Sequence, residues 1–279
     1  MNDNTPDMAT FIPRRAMVIA AHPDDIEFGP AGTVARWTRG GAKVSYVLCT
    51  DGDGGITTPG VTRAQAAEIR RAEQVAAARV LGVGEVIFLG YPDGLVFNTL
   101  ELRRKLVYQI RRFKPEALMT NDPTVLFASD TYINHPDHRA VGLAALDAVF
   151  PAAGMPLVFP EMVEEGVAPH CTPYIFVSTW GEGANTYIDV SDTIDLKICA
   201  LQAHVSQVGG RDIGVRIRES AAERGKSQGI PFAETFRVIS LPWGREENQH
   251  VPPAPADAAE PCAEVGGEPV VIRLNNEGQ

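Results

Sequence analysis

The sequence predicts an α/β fold in which a mainly parallel sheet carries helices on both faces. Three observations predict it. Short apolar, β-branched runs alternate with longer helical stretches through the first half of the 279-residue chain. The helical stretches carry recognisable start and stop signals. Polar residues gather where the apolar runs end, as they do at the carboxyl edge of an open α/β sheet.

Ala16–Ala21 reads as a buried strand, followed by a turn and a helix from about Pro30 to Arg39 that stops at Gly40-Gly41. Lys43–Thr50 is a second strand, and Asp51–Val61 is a Gly-rich loop. Thr62 opens a long Ala-rich helix, with Gln65 three residues on completing a capping box, and the helix closes near Leu81-Gly82. Glu85–Leu89 and Ala117–Asn121 read as strands, Thr99–Phe113 and Pro136–Val149 as helices. Beyond Pro151 the alternation weakens. Strands are expected at Tyr174–Trp180 and Tyr187–Val190, and helices at Asp192–His204 and Arg211–Arg224. The expected organisation is one catalytic domain over residues 1–244 and a Pro/Ala/Glu-rich tail over 245–279, extended or wrapped around it.

The formal net charge of −10 and pI of about 5.1 argue against nucleic acid as a partner. Four well-separated cysteines (Cys49, Cys171, Cys199, Cys262) give neither a disulfide framework nor a Cys-rich zinc site, and suit a reducing compartment. No apolar stretch reaches the roughly 18 residues that span a bilayer. The expectation is a cytoplasmic protein.

The strand ends carry the chemistry. The first apolar run stops at His22-Pro23-Asp24-Asp25, the second at Asp51 and Asp53, the third at Tyr91 and Asp93, and the fourth at Asn121-Asp122. The next loop holds His135-Pro136-Asp137-His138, so three of the chain's six histidines lie in these loops. Two histidines and a carboxylate with an open position for water make a catalytic zinc site, or the facial triad of a non-haem iron oxygenase. Adjacent Asp24 and Asp25 rarely point the same way, so one can bind metal while the other faces the water as general base. Of His135 and His138, one can ligate while the other, oriented by an acid, stabilises an oxyanion.

Each residue also has a plainer reading. His22 could serve a turn, Asp24 and Asp25 could cap a helix, and Arg70 could form a solvated pair with Glu73. Cys49 reads as core, and Gly29-Pro30-Ala31-Gly32 lacks the dinucleotide spacing, so it reads as close packing. Trp37, Trp180 and Trp243 are core residues or sugar platforms.

AHPDDIEFG paired with NHPDHRAVG resembles the zinc-dependent de-N-acetylases, which include the N-acetylglucosaminyl-phosphatidylinositol de-N-acetylases and the deacetylases of mycothiol and bacillithiol synthesis. Thr50-Asp51-Gly52-Asp53-Gly54, Arg70-x-x-Glu73 and Lys197-x-x-Ala200-Leu201-x-x-His204-x-Ser206-Gln207 extend the resemblance over about residues 16–210. It implies a Rossmann-like three-layer fold with a smaller C-terminal extension, and hydrolysis of an N-acetyl amide on a glucosamine-type sugar. It implies Zn2+ on His22, Asp25 and His138, and Asp24 as general base. His135 would be a cationic imidazole on the amide carbonyl, held charged and oriented by Asp137. Arg70 would bind substrate. So would Asp53, although the family often has Gly-Glu there and the shorter acid sits one methylene back. His204, at the end of its helix, is expected to be a dipole partner or to approach the zinc from its own chain or a partner's. Completion of the site by a neighbouring subunit in some family members implies a homo-oligomer.

Overall fold

The computed structural model describes residues 6–179, 183–242 and 267–274. Its strands are β1 (Arg15–Ala20), β2 (Lys43–Thr50), β3 (Glu85–Tyr91), β4 (Ala117–Asn121), β5 (Phe127–Ser129), β6 (Tyr132–Ile133), β7 (Tyr174–Ser178), β8 (Thr186–Asp189), β9 (Ala233–Ser240) and β10 (Val270–Arg273). Its α-helices are α1 (Asp25–Phe28), α2 (Ala31–Arg39), α3 (Arg63–Val80), α4 (Leu100–Phe113), α5 (Pro136–Val149), α6 (Pro160–Glu164), α7 (Ile194–Gln202), α8 (Val205–Val208) and α9 (Gly214–Gly225).

Eight strands form one sheet in the order β10-β3-β2-β1-β4-β7-β9-β8. The neighbours from β10 to β7 all pair in parallel, and β9 runs antiparallel between β7 and β8. This is the expected Rossmann-like α/β architecture. β5 and β6 form a separate small hairpin.

Strand parity builds two cores. Ala16, Val18 and Ala20 of β1 face one side with Val44, Tyr46 and Leu48 of β2, under α2, α3 and α7. Met17 and Ile19 face the other side with Val47 and Cys49, under α4 and α5. Both faces are covered, so the central strands read as unbroken apolar runs. Trp37 is a core residue whose indole N–H donates to the Phe11 carbonyl at 3.0 Å. Trp180, Trp243 and most of the expected tail lie outside the described residues. Gly32 is needed for packing, since a Cβ there would meet Val190 Cβ at 2.8 Å. The Thr62–Gln65 capping box is formed.

Four strands escape the sequence pattern. β9 has a buried acid, Glu234, near its start, and β10 is a four-residue edge strand on β3. The hairpin is shorter still. Cys49 and Cys171 are thiols, whereas Cys199 is disulfide-bonded, which departs from the expected all-thiol state. Among the described residues no helix is long and apolar enough to cross a membrane.

Glu234 ties the second half of the chain to the first. Its carboxylate accepts from Gly32 N (2.9 Å), Thr33 N (2.7 Å) and Thr33 Oγ1 (2.6 Å) and pairs with Lys197 Nζ at 2.7 Å. Lys197 also donates to the carbonyl of Gly29, where the loop after β1 ends. Burial lowers the Lys197 pKa and Glu234 opposes that. Removing one member of a buried pair strands the other charge, so Glu234→Ala should reduce stability by about 3–5 kcal/mol. The check is the denaturant midpoint of the two proteins; an unchanged midpoint would show that the pair contributes no net stability.

Candidate active site

β1 lies between β2 and β4, which makes the gap between β1 and β4 the topological switch point of the sheet. The loop after β1 carries His22, Asp24 and Asp25. The chain after β4 passes through the hairpin and enters α5 at His135-Pro136-Asp137-His138. The two sequence motifs therefore meet over one gap.

The first loop depends on its backbone. Asp24 has φ 88° and ψ −22°, in the left-handed region. A non-glycine residue there costs on the order of 1–3 kcal/mol, and aspartate tolerates it better than most. The twist sends two consecutive carboxylates in different directions. Asp25 accepts from the His22 backbone N–H at 2.8 Å and lies 2.9 Å from His138 Nε2 and 3.5 Å from His22 Nδ1. Asp24 lies 3.3 Å from Arg70 Nη2.

In the second loop, Pro136 occupies the first helical turn and His135 is the N-cap, its Nδ1 accepting from Asp137 N at 3.2 Å. The Asn134 amide N–H donates to the Val125 carbonyl, so its Oδ1 is the acceptor that faces His138 Nδ1 at 3.1 Å. That fixes the proton of His138 on Nδ1 and leaves Nε2 with its lone pair toward His22. His22 Nε2 is held in turn by Asp137 Oδ2 (3.1 Å) and Asp93 Oδ1 (3.0 Å).

The consequence is a pair of imidazole nitrogens facing each other, His22 Nδ1 and His138 Nε2, at 3.2 Å. Both have their other nitrogen committed to an acceptor, so as neutral rings they present two lone pairs to one another, with Asp25 beside them. A positive charge between or on the rings, a metal ion or a further proton, satisfies that arrangement. Tetrahedral bonds of about 2.0–2.1 Å place neighbouring donors about 3.4 Å apart, close to the spacings here. Burial by itself would lower the His22 pKa, but Asp25, Asp137 and Asp93 push it up to about 12. His135 lies near enough for two other donor groupings, His22/His135/His138 and His22/Asp93/His135/Asp137, each within 4.8 Å. Asp137 is less free than Asp25, because it already accepts from Gly94 N (2.7 Å) and Val96 N (3.1 Å). Burial alone would raise its pKa, and these contacts with His22 hold it below the usual carboxylate value.

Several expected contacts are corrected by these positions. Asp137 orients His22 rather than His135 through its carboxylate, and gives His135 only its backbone N–H. His135 is not pushed toward the cation: burial and the neighbouring His22 lower its pKa. With Nδ1 accepting, the neutral ring has its N–H at Nε2. Arg70 is 3% exposed, donates to the Pro23 carbonyl and faces Asp24 instead of the open rim. The Gly-rich loop covers it, since a Cβ at Gly52 would meet its Cζ at 2.9 Å. Its expected partner Glu73 binds Ser206 instead. Both oxygens of Asp53 are held by Arg63, and Oδ1 also accepts from Asp93 N, so Asp53 braces the loop that carries Asp93. His204 is fully buried, with Nε2 on Glu27 Oε2 at 3.1 Å, away from the rim. Asp24, pushed up to about 7 by burial and by Asp25 against the pull of Arg70, stands between these layers.

The sequence reading did not single out Asn134, Glu27 or Gln74. Asn134 is adjacent to its motif, and Gln74 lies one helical turn from Arg70 on the same face of α3, so a helical-spacing argument could have found both.

Fold and site together define a metal-dependent enzyme of the Rossmann-like class. The profile of the GlcNAc-PI de-N-acetylases (PIG-L) matches residues 17–149. The diacetylchitobiose deacetylase of Thermococcus kodakarensis is 31% identical over 231 residues, covering 81% of this chain and 83% of its own. The 1D-myo-inositol 2-acetamido-2-deoxy-α-D-glucopyranoside deacetylase of Salinispora arenicola is 28% identical, covering 86% and 84%. The solved N,N′-diacetylchitobiose deacetylase of Pyrococcus horikoshii, in complex with its inhibitor MPG, superposes with a TM-score of 0.75 at 28% identity, over 85% of this chain and 86% of that one. The chain belongs to the GlcNAc-PI de-N-acetylase family and is an amide-hydrolysing enzyme. These relationships support hydrolysis and not the iron oxygenase alternative.

Because Asn134 fixes the tautomer of His138, Asn134→Ala should weaken metal affinity by about 10–100-fold, the usual worth of such an outer contact. Competition with a chromophoric chelator reads this directly. An unchanged affinity would mean that His138 needs no orienting partner.

Proposed function

We propose that this chain removes the acetyl group from an N-acetylglucosamine-type substrate by hydrolysis, releasing acetate and a free amine. The observation that carries the reading is the divergence of two adjacent carboxylates, one among the facing imidazoles and the other beside them and free of the donor set. His22, Asp25 and His138 would hold Zn2+. When bound, the ion polarises a carbonyl and lowers the pKa of a water.

The chain's own groups do the rest. Asp24 accepts the proton of the attacking water as the new C–O bond forms, and returns it to the amide nitrogen as the C–N bond breaks. Arg70, 3.3 Å away, favours the charged carboxylate at the start of that cycle. His135, with its proton on Nε2, donates toward the carbonyl oxygen as negative charge develops there. Asp137 and Asp93 hold His22, and Asp53 with Arg63 holds the Asp93 loop.

Exposed apolar side chains flank the site on two loops bonded to it. They are Leu95 and Phe97 beside Asp93, and Phe127 and Ile133 on the hairpin before His135. They support recognition of the part of the substrate beyond the sugar, or a homo-oligomer, which light scattering distinguishes. A cytoplasmic location belongs to the same proposal; the thiols of Cys49 and Cys171 support it and the disulfide at Cys199 counts against it.

The direct test of substrate class is acetate release by the zinc-loaded protein across a panel of N-acetylglucosamine derivatives and unrelated small acetamides. Acetate and amine in equal amounts from the sugars is the expected result. Turnover of the unrelated amides alone would overturn the substrate class. Asp24→Asn should keep the metal and lose activity by roughly 10²–10⁴-fold, the usual worth of a positioned acid/base group. Near-native turnover would place the base elsewhere.

A further inference from the structure

The left-handed residue Asp24 has a buried strut behind it. Its backbone N–H donates to Gln74 Oε1 at 3.0 Å. Gln74 Nε2 donates to Glu27 Oε1 at 3.1 Å, and Glu27 Oε2 lies 3.1 Å from His204 Nε2. Gln74, Glu27 and His204 are all fully buried. His204 Nδ1 has no hydrogen-bond partner. The tautomer that fits carries its proton on Nε2, so the chain of donors runs from His204 to Glu27 and from Gln74 to Glu27, with Asp24 N–H closing onto Gln74.

The segment that supplies His204 is fastened to the same region along its length. Lys197 holds the Gly29 carbonyl, Ser206 holds Glu73 of α3, and Gln207 Nε2 donates to the Gly55 carbonyl at 3.3 Å. The Lys197-to-His204 part of the motif thus lines the back of the loop that bears Asp24, and Gln207 fastens its end to the Gly-rich loop after β2. A buried N–H in a sparsely populated backbone conformation keeps that conformation only if its acceptor stays in place.

We propose that Gln74, Glu27 and His204 are positioning residues. They fix the left-handed backbone of Asp24 and so aim its carboxylate at the reacting water. The proposal rests on the reading of Asp24 as the base. A carboxylate misplaced by about 1 Å costs about 10²-fold in rate, so the strut should act on kcat and leave zinc and KM alone.

The experiment is a double-mutant cycle on the zinc-loaded enzyme, with acetate release as the readout. Gln74→Leu should lower kcat by roughly 10–100-fold, with KM within about twofold of the parent and stoichiometric zinc. In an Asp24→Asn background the same substitution should lower kcat no further, because its route to the chemistry is already gone. Glu27→Leu should behave like Gln74→Leu, and Glu27→Gln, which keeps the contacts, should restore most of the lost kcat. A Gln74→Leu loss that persists in full in the Asp24→Asn background would overturn the proposal, as would a normal kcat. Gln74→Met stands in if Gln74→Leu does not fold, and failure of both would assign the strut to folding and overturn it too. An active Asp24→Asn single variant would instead overturn the reading of Asp24 as base, a separate result.

Discussion

Everything at the site depends on the backbone twist at Asp24. Consecutive side chains diverge in any regular chain, to opposite faces in a strand and by about 100° in a helix, and the twist at Asp24 sets which way each of this pair turns. With φ 88° at Asp24, Asp25 turns in to the imidazoles and Asp24 turns toward Arg70. The conformation is intrinsically unfavourable, so it exists because the surroundings over-determine it. Arg70 holds the preceding carbonyl, Gln74 the N–H, and Lys197 the end of the loop at Gly29. The buried pair of Lys197 with Glu234 and the N-terminus of α2 make that fastening part of the core.

The second requirement is electrostatic. Asp24, Asp25, Asp93 and Asp137 gather around two histidines in a largely buried space. Their mutual repulsion would oppose folding unless a positive charge sat among them. A proton on His22 can supply it, and a divalent ion supplies it better. Backbone N–H groups of Gly94 and Val96 offset the charge of Asp137, and the guanidinium of Arg70 that of Asp24. The acids nearest the imidazoles are thereby sorted into one that faces the pair of ring nitrogens and others that orient His22.

Much of this was legible in the sequence, for local reasons. The apolar run of β1, the capping box at Thr62 and the stop at Gly40-Gly41 are written in adjacent residues, and those elements fall within a residue or two of where the pattern puts them. The two His/Asp motifs lie at the carboxyl ends of strands that the switch point brings together, which is why their convergence is legible in the sequence. The partners of long polar side chains were not legible. Arg70, Asp53 and His204 have the residue types of substrate-binding or catalytic groups, yet each is held by a partner that local sequence does not indicate: Pro23 and Asp24, Arg63, and Glu27. Asp137 was expected beside His135, its near neighbour in sequence, and instead reaches His22 across the sheet gap. β9 was invisible because Glu234, placed there to hold Lys197 and α2, interrupts its apolar alternation.

The central claim is that His22, Asp25 and His138 form one metal-binding triad. X-ray absorption at the zinc edge of the zinc-loaded protein tests it most directly. The account predicts two imidazole nitrogens and oxygen ligands at about 2.0–2.2 Å, with no sulfur at about 2.3 Å. It also predicts loss of one imidazole from that shell in His138→Ala. A thiolate in the shell, or a spectrum unchanged by His138→Ala, would contradict it.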